Sequence, residues 1–330
     1  QDTAAGELRG LKAIYSRQSA QSSLDTEDEI DIGGNFEVHW GPIKSRDDIE
    51  LSGTVANKYY PRKYSRGQID PRDTTNDANN TDGCEYWAYA ELPNLAEVNL
   101  SSYMAMAKAY NPDPENGTTN PAIGTAGWQG GYFNGNVTFN SASSGFWDWE
   151  NGLKVNTVDG KAGGVPTYYI TGDVTMQNNT FIKGNLIVLG DLRLQGSGRA
   201  ATSAGDASPN YQVFIPTDAR KEYYHKAGCT HTTAQNVWDT AGWINGAQAT
   251  LDSIMVHGLV YVGEDFEASA GGNKKIVGVV ICKGEADNLT GNAAIYFNQQ
   301  VADNIEYQDM QFNRESWLEF APGSWSNPNW

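Results

Sequence analysis

Hydrophobic and polar positions follow two different rhythms along this chain. Over residues 3–24, TAAGELRGLKAIYSRQSAQSSL, the apolar positions Ala4, Ala5, Leu8, Leu11, Ile14 and Tyr15 recur at roughly i, i+3, i+4 and i+7. That spacing predicts an amphipathic helix with one apolar face. The acidic run SLDTEDEID follows as an exit loop, so residues 1–30 read as a unit of their own. Such a helix packs on its own domain or on a neighbouring subunit. The stripe Leu8, Leu11, Ile14 and Tyr15 predicts the neighbour, a head-to-tail contact that repeats without closing.

From Ile30 the period drops to two, and a repeat emerges. VHWGPIKSRDDIELSG (38–53), IKGNLIVLGDLRLQG (182–196), VHGLVYVGEDFEASAG (256–271) and IVGVVICKGEADNLTG (276–291) share one plan. Each has a Gly, a short apolar strand, an acidic turn, a second alternating stretch and usually a closing Gly. The Gly-Asp at 172–173 recurs at 190–191, a step of 18 residues, and Gly263 to Gly284 is a step of 21. Steps of this size suit one coil of a parallel β-helix, in which each strand pairs with those above and below. The inward column then includes Ile182, Leu186, Val188, Leu192, Leu194, Val260, Val262, Phe266, Val280 and Cys282. An antiparallel sandwich with look-alike hairpins is the competing reading. Residues 31–53 and 165–320 form the predicted β-helix core. Residues 54–164 and 197–250 are two irregular insertions, the first with a helix over 95–110 ended by Asn111 and Pro112. Residues 321–330 are a C-terminal cap.

Composition narrows the partners. Charged residues are only 19% against 39% hydrophobic, so the surface is largely uncharged and polar. The 23 basic and 40 acidic residues leave a net charge of −17, which disfavours nucleic acid and anionic membranes. No apolar run reaches the length of a membrane span. The chain starts at Gln1 without a leader pattern, as a mature or trimmed ectodomain would.

The residues that carry chemistry are few. Three cysteines, Cys84, Cys229 and Cys282, allow one disulfide. In an exported chain, Cys84–Cys229 would tie the two insertions together, while Cys282 among apolar neighbours reads as a buried thiol. His225, Cys229 and His231 offer a metal-binding alternative without the spacing of a standard zinc site. Asp70, Asp73, Asp77, Asn79 and Asp82 crowd one loop as hard oxygen donors, a candidate structural calcium site or a set of ordinary Asx turns. No other cofactor is expected. Carboxylate pairs such as Glu264 with Asp265 and Asp47 with Asp48 sit at repeated turn positions, so turn geometry accounts for them. No nucleophile-elbow, zincin or P-loop pattern is present. A catalytic set is therefore not expected, and a polysaccharide lyase or hydrolase is the weakest reading. The ten Trp and 17 Tyr fill satellite cores or, in an adhesin, stack on sugar rings.

The segments GNFEVHWGPIKSRDDIELSG, YYPRKYSRGQI, ITGDVTMQNNTFIKGNLIVLGDLRLQGSG and QFNRESWLEF together resemble bacterial PilX-like pilus-associated proteins. The resemblance covers residues 31–70 and 165–320. It implies a polymer-forming, right-handed β-helix ectodomain behind a pilin-like N-terminal helix, and it supplies no catalytic residues. The expectation is an extracellular or cell-surface structural subunit of a filament or pilus-like appendage, partnered by copies of itself, other pilus-like subunits or surface glycans. A cell-surface adhesin or glycan-binding ectodomain is the alternative.

Overall fold

The computed structural model describes residues 10–17, 22–34, 36–39, 41–52, 63–70, 87–89, 92–109, 131–139, 167–178, 180–198, 211–214, 248–251, 253–269, 271–308 and 312–320. The strands of the N-terminal part are β1 (Gly10–Arg17), β2 (Leu24–Thr26), β3 (Ile30–Ile32), β4 (Glu37–His39), β5 (Ile43–Ser45), β6 (Ile49–Leu51), β7 (Lys63–Ser65), β8 (Ile69–Asp70) and β9 (Trp87–Tyr89). The middle holds β10 (Tyr132–Phe133), β11 (Val137–Phe139), β12 (Thr167–Ile170), β13 (Val174–Met176), β14 (Ile182–Lys183), β15 (Asn185–Val188), β16 (Leu192–Leu194), β17 (Tyr211–Phe214) and β18 (Gln248–Leu251). The last part holds β19 (Ile254–Val262), β20 (Phe266–Glu267), β21 (Asn273–Cys282), β22 (Ala286–Leu289), β23 (Asn292–Phe297) and β24 (Phe312–Phe320).

Most of these strands fall into two parallel sheets, one of 12 strands and one of 8. The chain passes from the first sheet to the second through a tight turn and then back, as in β12 to β13 and β15 to β16. Alternation with period two aims one column of side chains from each sheet inward. In the first sheet, Tyr168, Leu186, Val260, Val280, Leu24 and Ile43 stack in register and are buried. In the second, Val174, Leu192, Phe266, Ala286, Ile30, Ile49 and Ile69 do the same. Every inward residue expected from the repeat is buried, and each large aliphatic among them contributes roughly 1.5–3 kcal/mol. The pairing step is 18 residues from Val174 to Leu192 but 20 from Val262 to Cys282. Gly263 therefore lies beside Lys283, not Gly284. Where β19 and β21 turn a corner, a Cβ on Gly258 would lie 1.9 Å from Gly184 O, and one on Gly278 would lie 1.9 Å from Gly258 O. Backbones that close leave room for hydrogen only.

The order of strands in space is not their order in the chain. The first sheet runs β10, β12, β15, β19, β21, β2, β5, β7, β9, and the second runs β11, β13, β16, β20, β22, β3, β6, β8. Residues 22–89 thus continue the stack from the face left by residues 273–289. At this seam Leu24 pairs with Val280 and Ile30 with Ala286. The bonds are those of any other rung: Val280 N–H to Ser23 O at 2.9 Å, Glu27 N–H to Cys282 O at 3.0 Å, Gly33 N–H to Leu289 O and Ala286 N–H to Glu29 O, each at 2.9 Å. The coil at the seam is composite. β23 pairs on one side with β21 and on the other with β4, so it shares this layer of the stack with β2 of the same sheet and β3 of the second sheet.

Between β9 and β10, residues 92–109 run along the outer face of the first sheet. Arg66 and Arg46 hold Leu92 O at 2.8 Å and Pro93 O at 3.0 Å. Further on, Asn99 N–H donates to Glu306 O and Gly131 N–H to Ala107 O, both at 2.8 Å. The helix expected over 95–110 is present as Leu100–Ala109. It starts late because Asn99 is its cap, with Oδ1 accepting from Ser102 N–H at 3.1 Å. Tyr103 and Ala107 bury its inner face, and Lys108 Nζ lies 4.5 Å from the ring centre of Tyr132.

Two expectations are corrected. Residues 10–17 of the expected helix over 3–24 are strand: β1 pairs antiparallel with β24, Leu11 opposite Glu319 and Ile14 opposite Ser316. Leu24 belongs to β2. Apolar residues at 11, 13 and 15 also satisfy a period of two, and a partner strand 300 residues away decides between the readings. The second correction concerns 54–164. That span contains β7, β8, β9, β10 and β11, all members of the parallel sheets, because two-residue and three-residue strands leave too short a pattern to align. In 197–250 and at its border, β17 and β18 pair antiparallel in a sheet of their own, Tyr211 opposite Leu251. Residues 321–330 lie outside the described residues.

Candidate functional site

The turn into each strand of the second sheet has the form x-Gly-Asp or a variant of it. A Cβ on Gly190 would lie 2.3 Å from Asp173 Oδ1 and 2.9 Å from Gly172 C, so successive turns stack in contact. The residue just before the strand then uses its side chain as a rung. Asn136 Oδ1 accepts from Asp173 N–H at 3.0 Å, Asp173 Oδ1 from Asp191 N–H at 3.1 Å, Asp191 Oδ1 from Asp265 N–H at 3.2 Å and Asp265 Oδ1 from Glu285 N–H at 3.1 Å. Past the seam Glu29, Asp48 and Gln68 take the same place, and Asp48 Oδ1 accepts from Gln68 N–H. Each bond to a charged acceptor is worth about 1.5–3 kcal/mol.

Two residues further along each strand lies a second outward column: Thr138, Thr175, Arg193, Glu267, Asp287, Asp31, Glu50 and Asp70. The two columns make a grid spaced about 4.8 Å along the stack and about 7 Å across it. Among the described residues its only cation is Arg193, which holds Asp191 at 2.8 Å and Glu267 at 3.4 Å. Glu267 foremost, with Asp191, pushes the guanidinium pKa up. Over the seam, Glu29, Asp31, Glu50, Glu285 and Asp287 line a shallow depression with Ala286 at its floor. Partial burial, then mutual repulsion, raises the pKa of Glu29, Glu285 and Asp287, and of Asp47 beside them.

Asp173, Asp191 and the exposed Glu264 each bring a carboxylate oxygen within 4.8 Å of the others. Three carboxylates supply at most six of the six to eight oxygens a calcium ion takes. Their first duty is visible: two of the three are rungs of the turn ladder.

Of the residues singled out in the sequence, Asp70 ends the outer column and is exposed. Asp73, Asp77, Asn79 and Asp82 lie outside the described residues, as do Cys84, Cys229, His225, His231 and Leu8. Leu11, Ile14 and Tyr15 are on β1. Cys282 is a free, buried thiol. Its sulfur lies 3.0 Å from Glu264 O and 3.3 Å from Glu285 O, and burial foremost pushes its pKa up to about 12. Glu264, Asp265, Asp47 and Asp48 occupy the turns, as their repetition implied. The grid itself was missed, although the Gly-Asp step at 172–173 and 190–191 was its signal. No family model, curated protein or solved structure matches the chain.

Proposed function

We propose that this chain is a structural subunit of an extracellular filament or pilus-like appendage, and that its two parallel sheets are faces of a right-handed β-helix. Parallel crossovers between strands of one sheet are right-handed in nearly all proteins, which supports the handedness. The observation that carries the function is the seam. There, coils not joined in sequence dock through ordinary parallel rungs, with buried Leu24, Ile30, Val280 and Leu289. Coil-on-coil stacking without covalent continuity is a contact that copies of the chain can reuse. Assembly through Leu8, Leu11, Ile14 and Tyr15 gives way in this reading to stacking of coils, since one edge of β1 is taken by β24 of the same chain. The uncharged polar surface apart from one acidic grid suits close lateral packing. Sedimentation velocity over a wide concentration range, with negative-stain images of the concentrated sample, tests the proposal. Elongated particles growing with concentration are expected; a fixed monomer at every concentration contradicts it.

A further inference from the structure

The seam divides the molecule into two half-stacks, residues 22–89 and residues 131–297, each continuous in sequence. One segment joins them, and it changes sides within a single residue. Leu95 N–H donates to Glu27 Oε2 at 3.2 Å, on the N-terminal half. Lys283 Nζ on the C-terminal half holds Glu97 Oε1 at 3.1 Å, and Gln308 N–H donates to Glu97 O at 2.8 Å. Only Ala96 lies between these anchors. Neither half is complete at the seam, because the composite coil takes β23 from one half and β2 and β3 from the other. A C-terminal half without that partner leaves the edges of β21, β22 and β23 open, with Val280, Cys282 and Leu289 at the exposed end of the core.

We propose that the seam is the interface between copies: β2 and β3 of one chain complete the composite coil on β21–β23 of a second copy. This rests on the filament reading and names the contact that builds it. Exchanged and closed seams make the same rungs and bury the same side chains. The free-energy difference between them is confined to the hinge at Leu95–Glu97 and to the effective concentration of the chain's own half. One-way exchange extends without closing, whereas reciprocal exchange closes as a dimer.

Thr26 and Cys282 are register partners across the seam, so a single substitution reports who sits opposite. Thr26→Cys in a Cys84→Ser, Cys229→Ser background, oxidised after concentration, is resolved on non-reducing gels. A 26–282 bridge between chains in the assembled fraction is the expected result. Bridges confined within single chains of an assembled fraction overturn the exchange but leave the filament reading standing. Bridged closed dimers without longer species support the exchange and overturn the filament. Monomers with internal bridges at every concentration overturn both. Should that background fail to fold, heavy- and light-isotope chains carrying Thr26→Cys alone are refolded together. Peptide mapping then reads the same outcomes from mixed-isotope or single-isotope 26–282 bridges.

Discussion

Cys282 shows how one position serves both the core and the turn. In register order its column continues as Thr26, Ser45 and Ser65. Each hydroxyl donates to a turn carbonyl: Thr26 Oγ1 to Asp28 O at 2.6 Å, Ser45 Oγ to Asp28 O at 2.8 Å and Ser65 Oγ to Asp47 O at 2.6 Å. The thiol does the same less strongly. Cys282→Ser is therefore expected to fold with a loss of about 1 kcal/mol or less. Cys282→Val, of similar bulk, should lose up to about 1 kcal/mol more, the net worth of the thiol's hydrogen bonds, because Gly284 N–H still serves the Glu264 carbonyl at 3.0 Å. Urea midpoints decide; equal losses would reduce the residue to packing. The buried, apolar setting of Cys282 was legible from VVICKGE. Its hydrogen bonds were not, because the carbonyls it meets belong to turns 18 residues earlier and three later.

The x-Gly-Asp turns carry the electrostatics at the scale of elements. Asp265→Asn keeps the acceptor for Glu285 N–H and removes one charge from the grid, as Asn136 already does on the first rung. Its stability should match or exceed that of the parent, while Asp265→Ala should fall by about 1–3 kcal/mol. Thermal unfolding of the pair separates hydrogen bond from charge, and a comparable fall for both would assign the role to charge. Glu29, Asp47, Glu285 and Asp287 have raised pKa values when folded, so the folded chain binds more protons than the unfolded chain just above the ordinary carboxylate range. Stability then falls as pH rises through that window. The urea midpoint should be higher near pH 5 than near pH 7, and the reverse order would contradict the repulsive grid. The repeat and its inward residues could be read from sequence, since each strand announces itself by alternation. Over 10–17 the expected helix gave way to strand because Leu11, Ile14 and Tyr15 fit the helical period while Leu11, Ala13 and Tyr15 fit a period of two, and pairing with β24 is a non-local choice.

At the scale of the whole molecule the lesson is order. Local pattern places a strand on one face of a coil; it carries no information on which coil lies above. Leu24 looks like the start of a stack and is instead its middle, with Val280 on one side and Ile43 on the other. Among the described residues the outermost rungs of the stack come from internal segments, and the first and last strands, β1 and β24, pair as a ribbon. This arrangement underlies both the proposed filament and the proposed exchange of halves. Amide hydrogen exchange on the unmodified protein tests it most directly. The seam donors Glu27, Gly33, Val280 and Ala286 should be protected as strongly as Leu192 and Gly263, which lie well inside the C-terminal half. Seam amides exchanging as fast as unpaired ones, with Leu192 and Gly263 still protected, would contradict the stacking of residues 22–89 on residues 273–289.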